Sequence, residues 1–583
     1  MAVILLVPEY LWISDQRINL IEKGTPNVAH HLFSGLPQDS FRPWMDELRA
    51  SSQKLAFEKL AKSLEEIEGQ RQRPLNEREI WDLKLQVCKE FKLDRVPKNS
   101  EILALLDAPQ RKAFEDRLRR KTNRTASGIA VITAITKPFD CPHGTCTFCP
   151  GGVRFGTPQS YTKNSPAAAF GISRSYDPSR QVSDMLEFLR ENGHDTSKVE
   201  LILLGGTILA MPKEYQIDFV KQSYEALNGE SSHTLNDAII QNEKALHRCV
   251  GLTIETKPDW CKPTHIDMML SYGATRVEIG VQSLSDEVLK AVNRGHTVAD
   301  TKQSFRVAKD SAFKLVAHMM PGLPGSDPDK DLEDLTSLFD DESYRPDMLK
   351  IYPTLVVEGT ALYQQFKLGR YKPYDLETVV QLLARFKKRV PRWVRIMRIQ
   401  REIPREEIAD GARSGNLRQI VLNDMEKRGE KCRCIRCREI GHKPYDKLEA
   451  STELKLKRED YEASKGHEIF LSYEDEATDT LHGFLRLRIP SGLEHREELA
   501  GKRASLVREL HVYGQVVPVG APTGRSNQSQ HRGLGTSLLA EAERISSEEF
   551  SKNKVVVISA VGTREYYRNR GYQNDGPYVS KSI

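Results

Sequence analysis

Short apolar segments alternate with amphipathic helical segments from residue 128 to about residue 353. Six segments rich in aliphatic and β-branched residues are predicted strands, at 128–136, 199–204, 250–256, 276–281, 314–319 and 347–353. Between them, apolar residues recur every three to four positions, as at 182–191, 214–227, 237–247, 286–292 and 300–309. Strands joined by helical crossovers form parallel sheets with right-handed connections. The sequence therefore predicts a partial or closed (β/α) barrel.

The chain has 583 residues, which is too long for one hydrophobic core, so three or four domains are expected. Helical patterning covers residues 1–95, whereas residues 396–455 are charged and loop-like. The last segment changes again to strands, a glycine-rich turn and a helix. We therefore predict an α-helical N-terminal region (1–95), an α/β barrel with a basic lead-in (96–395), a small metal-binding linker (396–455) and an α+β domain (456–583).

The composition indicates a cytoplasmic protein that does not enter a membrane. No run of apolar residues approaches the ~20 needed to cross a bilayer. The apolar start, residues 1–7, lacks the positively charged flank of a signal peptide. Six of the nine cysteines lie in two tight clusters. That pattern indicates metal binding in a reducing compartment rather than disulfide bonds.

Three cysteines, Cys141, Cys146 and Cys149, follow the first predicted strand within nine residues. Three thiolates can hold a cluster of four irons while one iron keeps an open coordination position for chemistry. A zinc ion would need a fourth ligand, for which His143 is the nearest candidate. A disulfide would pair two of these three thiols and leave the third unpaired. We favour the iron–sulfur cluster.

Further motifs lie at the C-terminal ends of the predicted strands, the edge at which barrels of this kind assemble their sites. The motifs are Gly205-Gly206-Thr207 after the second strand, Glu255 at the end of the third, Glu278 and Gln282 in the fourth, and 318–325 after the fifth. Alone, each glycine motif indicates only a turn. Their shared position predicts a single site.

Together, the thiols and these motifs resemble the radical S-adenosylmethionine (SAM) enzymes. In that superfamily the amine and carboxylate of SAM bind the open iron, and an electron from a separate donor cleaves SAM to a 5′-deoxyadenosyl radical. The protein orients the cofactor and excludes water from the site. The resemblance implies 4Fe-4S ligands at Cys141, Cys146 and Cys149 and SAM contacts at Gly205, Gly206, Thr207, Glu278 and Gln282. Thr207 stands where many members carry an acidic residue.

The linker contains a second cluster, Cys432, Cys434 and Cys437. Spacing this tight is typical of a structural zinc site, which needs four ligands in all. The sequence offers His442 nearby and Cys261 farther away as the fourth ligand, and does not decide between them. We predict a structural zinc ion between the barrel and the last domain.

The C-terminal domain contains a glycine-rich turn at 530–536 that opens a predicted helix. Backbone N–H groups at a helix N-terminus bind pyrophosphate, and glycines allow close approach. The turn resembles the CoA-binding loop of the GNAT acetyltransferases. The resemblance implies acetyl-CoA contacts at Glu509, Leu510, His511, Val512, Gly533, Leu534, Gly535 and Thr536. It also implies that Tyr567, with Tyr566 as the alternative, lies near the CoA sulfur as a catalytic group.

A radical SAM barrel joined to a GNAT domain is an uncommon pairing. Further matching segments lie at 124–131, 276–283, 293–297, 317–321, 508–514 and 561–567. From about residue 75 to the end, the chain closely resembles the family of Elongator catalytic subunits, whereas residues 1–40 carry no resemblance. The thiol spacing and the second cysteine cluster resemble the archaeal and bacterial branch, which acts without other Elongator subunits.

This resemblance implies a tRNA-modifying acyltransferase that forms 5-carboxymethyluridine at the wobble position, uridine 34, from acetyl-CoA. A radical is needed because a methyl C–H of an acetyl group is far too weakly acidic for side-chain bases. Lys198 matches the family lysine that contacts acetyl-CoA, in a binding and catalytic role. The tRNA anticodon loop would bind the N-terminal region and the basic run 111–124.

The main alternative is a protein (histone-type) lysine acetyltransferase that uses only the GNAT domain. It would need a carboxylate base such as Glu509, and it predicts acetylated lysine without SAM. A second alternative is a tRNA-binding scaffold with idle catalytic parts, against which the intact thiols and CoA loop argue. The sequence leaves open which tRNAs are used, what the reductant is, and whether the chain forms a homodimer.

Overall fold

The computed structural model describes residues 55–583 with internal gaps. The gaps are 72–74, 106–117, 119–124, 443–452 and 515–532, together with 61, 65, 68, 69, 76, 92, 94, 126 and 502. The segment 1–40, nearly all of the basic run 111–124 and the start of the glycine-rich turn, 530–532, lie outside the described residues.

The chain divides into two compact units, of which the first comprises residues 1–121 and 190–194. Its named helices are α1 (Glu77–Glu90) and α2 (Asn99–Leu105). Val87 of α1 and Ile102 of α2 are buried in one apolar cluster with Leu60 and Leu64, which lie on a preceding helical segment. The described part of this unit therefore agrees with the helical pattern of the sequence.

The second unit comprises residues 122–189 and 195–583 and holds every strand of the described chain. The strands are β1 (Ala130–Ile135), β2 (Gly151–Gly152), β3 (Thr157–Gln159), β4 (Lys198–Leu204), β5 (Arg248–Thr256), β6 (Arg276–Gln282), β7 (Lys314–Met319), β8 (Met348–Ile351), β9 (Val356–Val357), β10 (Arg395–Arg398), β11 (Ile408–Asp410), β12 (Lys455–Ala463), β13 (Gly466–Asp475), β14 (Thr480–Ile489), β15 (Ala504–Val512), β16 (Lys554–Val557), β17 (Gln573–Asp575) and β18 (Tyr578–Ser582). The α-helices are α3 (Pro166–Ile172), α4 (Pro178–Glu191), α5 (Lys213–Asn228), α6 (Leu235–Asn242), α7 (Pro263–Ser271), α8 (Asp286–Ala291), α9 (Val298–Asp310), α10 (Pro328–Asp340), α11 (Ala361–Lys367), α12 (Leu376–Lys387), α13 (Leu417–Lys427), α14 (Ile435–Arg438), α15 (Leu534–Arg544) and α16 (Arg564–Arg568).

Seven parallel strands form the larger sheet, in the order β1-β4-β5-β6-β7-β8-β10. Because β1 and β10 remain edge strands, the sheet is a curled, partial barrel, which confirms the predicted fold. Helices cover its outer face, where Val199, Leu201 and Leu203 of β4 are fully buried. Helix starts follow the sequence: Thr297 and Asp300 form a capping box at α9. The six predicted strands are confirmed, with small shifts at their ends.

The seventh strand, β10, was not predicted. Its four residues, Arg-Ile-Met-Arg, include two arginines, so the segment has no apolar run that would distinguish it from the charged linker. It pairs in parallel with β8, with Arg395 opposite Met348. The arginines line the inside of the barrel instead of facing the helices.

A second seven-stranded sheet forms the C-terminal domain, in the order β12-β13-β14-β15-β16-β18-β17. All neighbouring strands are antiparallel except β15 and β16, which are parallel. Their pairing ends at Val507 opposite Val557, although β15 continues to Val512. Among the described strands, none pairs with residues 508–511 of β15 on the β16 side, so backbone groups there are available to another partner. This mixed sheet confirms the predicted α+β domain.

A β-bulge directs one arginine of this sheet toward the barrel. Arg486 pairs with Glu509 and Leu487 pairs with Val507, so Arg508 is the extra residue of β15. Its guanidinium donates to Asp347, just before β8, at 2.8 Å and to Glu468 of β13 at 2.8 Å. All three side chains are buried. The C-terminal sheet is thus fixed against the N-terminal ends of the barrel strands.

Among the described residues, none of the helices is both long enough and apolar enough to cross a membrane.

Candidate active site

The loop after β1 brings the three predicted cluster ligands together with the turn after β4. Cys146 and Cys149 are buried, and Cys141 is partly exposed. The Cys141 Sγ lies 3.9 Å from the Thr207 Oγ1. The backbone N–H of Ser160 donates to the Cys149 Sγ at 3.2 Å. The thiols therefore face a recess bounded by the segments after β3 and β4.

The turn after β4 requires both of its glycines. Gly205 has φ 146° and Gly206 has φ 69°, in the region that favours glycine. A Cβ on Gly205 would lie 1.8 Å from the Thr136 Oγ1, and one on Gly206 would lie 3.6 Å from the Cys141 Sγ. Thr136 thus excludes a side chain at Gly205, the positive φ disfavours one at Gly206, and the turn passes beside the Cys141 thiol.

A cavity of about 200 Å³ lies at the C-terminal ends of the barrel strands and is lined by the thiols, Gly206, Thr207 and Gln282. Gln282 has φ 75°, and its Oε1 is buried without a hydrogen-bond partner among the described residues. Unpartnered buried acceptors are uncommon in folded proteins. The cavity thus offers acceptors for the donor groups of a ligand, as a site for SAM requires.

The thiol geometry also fits the cluster better than zinc. A zinc ion bound through Zn–S bonds of ~2.3 Å in tetrahedral geometry holds its sulfurs roughly 4 Å apart. Among the described residues, two groups of possible metal ligands have their ligand atoms all within 4.8 Å of one another, and Cys141, Cys146 and Cys149 are not one of them. Their wider spread suits a larger group such as a 4Fe-4S cluster.

Cations surround the thiols. The Lys257 ammonium donates to the His143 Nδ1 at 3.1 Å, and the His143 Nε2 lies 3.2 Å from the Cys146 Sγ. Arg294 approaches the same sulfur at 3.8 Å and donates to the Gly280 carbonyl at 2.7 Å. Burial, with Lys257 and Arg294 nearby, lowers the pKa of His143 to about 4. These residues place positive charge where a thiolate-bound cluster is negative.

Glu278, a predicted SAM contact, faces the inside of the barrel and is held by two partners. Its Oε2 lies 2.9 Å from the His318 Nε2 and also binds the Lys350 ammonium. Burial acts to raise the pKa of Glu278, but Lys350 and His318 outweigh it and lower the pKa well below its usual value. Burial raises the pKa of neighbouring Glu255. Glu278 is therefore anionic, and Lys350 supplies its counter-charge.

A larger cavity, about 1080 Å³, opens at the opposite, N-terminal ends of the barrel strands. It brings together the predicted acetyl-CoA residues of both domains. From the C-terminal domain the lining residues are Glu509, Leu510, His511, Val512, Gly533, Leu534, Gly535, Thr536, Tyr566 and Tyr567. From the barrel, Lys198 joins them. Residues separated by more than 300 positions in sequence thus line one cavity.

Helix α15 begins inside this cavity. Gly533 precedes it with φ 83°, and Leu534, Gly535 and Thr536 form its first turn. The N–H groups of a first helical turn have no partner within the helix. This first turn and the last residues of β15 line the same cavity. This combination of a helix N-terminus and an open strand edge suits a pyrophosphate followed by an extended amide arm.

The two tyrosines occupy different environments. The Tyr566 Oη would lie 2.9 Å from a Cβ on Gly535, so this hydroxyl is at the glycine turn. Tyr567 is buried in the apolar core of the C-terminal domain, and burial raises its pKa above the usual value. The ring centroids lie 5.1 Å apart in an edge-to-face contact. Tyr566 has the more direct access to the turn.

Lys198 is the first residue of β4, and burial lowers its pKa to about 8. Glu509 accepts a hydrogen bond from the Arg486 Nε at 2.9 Å. His511 lies 3.1 Å from the Ser127 carbonyl and 4.3 Å from the Tyr513 ring centroid. Glu509 and His511 thus contact neighbouring residues, and Lys198 brings a titratable amine to the same cavity.

The second cysteine cluster forms a compact thiol group. The Sγ atoms of Cys432, Cys434 and Cys437 lie within 4.8 Å of one another, a spacing that fits one zinc ion. Neither candidate for the fourth ligand, His442 or Cys261, belongs to this group. The buried Lys387 lies beside the three thiols, with its ammonium 3.3 Å from the Cys432 Sγ.

Several residues at the centre of the barrel had no assigned role in the sequence. Lys350 and Arg398 line both cavities, and Lys257 and Arg294 flank the thiols. His318 stands in the predicted strand-end motif 318–325, and Lys257 follows Glu255 by two residues, so position at a strand end was a usable signal for both. Lys350 carried no such signal, because it is a lone lysine inside a short strand.

Comparison with known proteins agrees with this architecture. Family models match at residues 54–126 (ELP3 N-terminal domain), 136–339 (Radical SAM superfamily) and 346–427 (Radical_SAM C-terminal domain). A protein of Methanocaldococcus jannaschii named tRNA uridine(34) acetyltransferase is 47% identical over 492 residues, covering 84% of this chain and 90% of the relative.

Eukaryotic relatives are nearly as similar. Elongator complex protein 3 of Drosophila melanogaster is 45% identical, with 86% of this chain and 92% of that protein covered. The protein of the same name from Saccharomyces cerevisiae is 44% identical, with coverages of 85% and 90%.

Among solved structures, archaeal Methanocaldococcus infernus Elp3 with an N-terminal deletion superimposes with a TM-score of 0.69 at 43% identity. The match covers 78% of this chain and 100% of that one. High identity over most of the chain, together with the radical SAM match, shows that this chain belongs to the Elongator complex protein 3 family of radical SAM proteins.

Proposed function

We propose that this protein modifies uridine 34 of tRNA, forming 5-carboxymethyluridine from acetyl-CoA with a SAM-derived radical. The observation that carries the proposal is that one partial barrel has the thiol cavity at one end and the cavity of the CoA-type turn at the other. A relative that covers most of the chain is named for acetyl transfer to uridine 34 of tRNA. That name does not specify a carboxymethyl product, which is part of our proposal.

When bound, the cluster and SAM supply an electron and a 5′-deoxyadenosyl radical that takes one hydrogen atom from the acetyl methyl group. The chain supplies the surroundings. Cys141, Cys146 and Cys149 hold the cluster, and the Gly205–Thr207 turn with Gln282 holds SAM. In the net reaction the methyl carbon of the acetyl group bonds to C5 of uracil, and C5 loses its proton. The uracil adduct also gives up one electron, which offsets the electron that cleaved SAM. Water then hydrolyses the thioester and releases CoA.

At the other end, the first turn of α15 binds the CoA pyrophosphate, and the open edge of β15 binds the pantetheine amides. Lys198 neutralises phosphate charge or polarises the thioester carbonyl. After hydrolysis, Tyr566 or Tyr567 protonates the CoA thiolate as CoA withdraws past the glycine turn. Cys432, Cys434 and Cys437 hold a structural zinc ion, and Lys387 lies beside that group.

The tRNA binds through its anticodon loop, in which uridine 34 is already unpaired, so that turning the base outward costs less than from a duplex. We assign the electrostatic contacts to the N-terminal region and the basic run 111–124, with affinity that falls as salt rises.

The lysine acetyltransferase alternative requires a base near the thioester. Glu509, the candidate base, is buried; burial acts to raise its pKa, but Arg486 and Lys314 outweigh it and lower the pKa below its usual value. A carboxylate committed to an ion pair is a weak base for an incoming lysine ammonium. The geometry therefore favours the tRNA reaction.

The test is anaerobic incubation with SAM, acetyl-CoA, a reductant and tRNA, followed by mass spectrometry of uridine 34. We expect 5-carboxymethyluridine and 5′-deoxyadenosine with the wild type and neither with Cys146→Ser. Cys88→Ser, in the first unit, is the matched control and should keep both products. Acetylated lysine formed without SAM, with unmodified uridine, would support the alternative instead.

A further inference from the structure

We infer that the acyl group of the thioester reaches the radical site through the lumen of the partial barrel, and that Ile202, Lys350 and Arg398 form its seat. The inference rests on the proposed function and names the route within it. The two cavities share these three lining residues among the described part of the chain. The lumen is thus lined continuously from the CoA-type turn to the thiols.

Strand β4 shows the continuity residue by residue. Its side chains alternate between the two faces of the sheet, and Val199, Leu201 and Leu203 face the covering helices. The inward set is Lys198, Glu200, Ile202 and Leu204. Lys198 and Glu200 line the CoA-side cavity, Ile202 lines both cavities, and Leu204 lines the thiol-side cavity.

Neighbouring strands repeat the same progression. On β5, Gly251 and Thr253 line the CoA side and Glu255 lines the thiol side. On β8, Met348 lines the CoA side, Lys350 both sides, and Tyr352, just beyond the strand, the thiol side. Three strands therefore place the two cavities end to end in the lumen, and the cavities meet at the level of Ile202 and Lys350.

The dimensions suit a slender arm. The seven residues of β4 span about 20 Å at ~3.3 Å per residue, so a ligand anchored at the α15 turn must extend by a comparable length. The pantetheine of CoA is a linear chain whose branches, a gem-dimethyl group and a hydroxyl group, lie at its phosphate end, so the end that carries the thioester is slender. Entry at the N-terminal ends of the barrel strands leaves the opening at their C-terminal ends free for a nucleotide. Both substrates can therefore reach the thiol-side cavity together.

The residues where the two cavities meet can hold a thioester. Lys350 is bound to Glu278, and Arg398 lies at the same level. Their N–H groups can donate to the thioester carbonyl oxygen, while Ile202 packs against the acyl carbon. The Thr253 Oγ1 is fully buried and has no hydrogen-bond partner among the described residues. This hydroxyl can therefore contact a ligand on the CoA side of the seat.

The first test needs no cluster. Cluster-free wild-type protein is irradiated with an acyl-CoA that carries a small diazirine on its acyl group, and adducts are mapped by mass spectrometry. We expect adducts on lumen residues of β4, β5 or β8, such as Ile202 and Thr253, competed by acetyl-CoA. Adducts confined to the surface around Tyr566 would overturn the route.

The second test blocks the lumen with Ile202→Trp. With trideuteroacetyl-CoA, we expect deuterium transfer into 5′-deoxyadenosine to fall at least tenfold, while the iron content and the melting temperature stay close to those of the wild type. Leu246→Trp, at an exposed residue that lines neither cavity, should change none of these. Trideuteroacetyl-cysteamine, small enough to enter from the thiol side, should restore transfer in the blocked variant.

The outcomes separate the route from the function. Deuterium transfer at the wild-type rate in Ile202→Trp, with uridine still modified, would reject the route and leave the function standing. Lumen adducts in a wild-type protein that never modifies uridine would reject the function and leave the route standing. If Ile202→Trp loses CoA binding through misfolding, the photochemical adducts of the wild type decide the route.

Discussion

The guanidinium carbon of Arg570 lies 3.7 Å from the centroid of the Tyr566 ring. The same arginine donates to the Thr536 Oγ1 at 2.9 Å. Arg570 therefore links the ring to the first turn of α15 and holds the Tyr566 hydroxyl beside that turn. A cation over an aromatic face contributes about 0.5–1 kcal/mol at a partly exposed site.

We expect Tyr566→Phe to lower turnover by about 10²-fold, the lower range for a lost proton donor, while acetyl-CoA affinity stays within about twofold because the ring and Arg570 remain. Tyr567→Phe is the comparison variant, because Tyr567 lines the same cavity but is buried in the apolar core of the domain. Steady-state release of CoA in the presence of tRNA measures both variants. A larger loss in Tyr567→Phe than in Tyr566→Phe would assign the role to Tyr567.

Lys198 makes acetyl-CoA binding depend on pH. Its pKa is lowered to about 8 by burial, so the free protein carries the ammonium at neutral pH and loses it as pH rises through about 8. A phosphate or thioester partner favours the charged form, so affinity is full below that value and falls above it. Calorimetric titration of acetyl-CoA from pH 6.5 to about 9.5 should show this decline. Lys198→Arg should flatten the profile, and a wild-type profile without a decline would exclude the role.

The strand pattern and the thiol loop could be predicted because each depends on residues close in sequence. Period-two and period-four apolar patterns determine which face of a strand or helix is buried. The thiols of Cys141, Cys146 and Cys149 are neighbours in the chain. The fold of the barrel and one end of its site follow from such local signals.

The centre of the barrel could not be predicted in this way. Lys350 meets Glu278 only because β8 lies two strands from β6 in a fixed register, with His318 of β7 opposite Lys350. No local pattern in the four residues of β8 shows that partner. Arg508 likewise reaches Asp347 only through a bulge whose register depends on β14. Contacts of this kind are set by tertiary structure.

The second thiol group predicts one zinc ion per chain. Its three sulfurs lie within 4.8 Å of one another, next to the backbone contact from the Ile435 N–H to the Val394 carbonyl just before β10. Cys434→Ser should remove zinc, measured by mass spectrometry of the metal content, and lower the melting temperature by about 2–3 °C, as expected for a loss of roughly 2–3 kcal/mol in a unit of this size. Iron loading should persist. Full zinc content in Cys434→Ser would contradict the assignment, and Cys249→Ser serves as the buried-cysteine control.

Arg508 should contribute more to folding than any exposed arginine of its domain. Its guanidinium is buried between Asp347 and Glu468. Removing one partner of a buried charge network costs about 3–5 kcal/mol, so Arg508→Met should lower the free energy of unfolding by that amount at pH 7. Arg544→Met is the control, because its ion pairs with Glu541 and Glu548 are exposed and should be worth less than about 1 kcal/mol. Denaturant unfolding of the two variants measures the difference.

The same pair of variants tests the charge network by pH. Burial acts to raise the pKa of Asp347, but Arg508 and Lys309 outweigh it and hold the pKa well below its usual value. A lowered carboxyl pKa stabilises the fold above the unfolded value of ~4 and less as pH falls through that range. Without Arg508 the buried carboxylates repel each other, so protonation stabilises the variant. The stability gap between wild type and Arg508→Met should therefore narrow from pH 7 to pH 4.5, whereas the gap for Arg544→Met stays small. A gap that widens on acidification would mean that packing, rather than charge, sets the cost of losing Arg508.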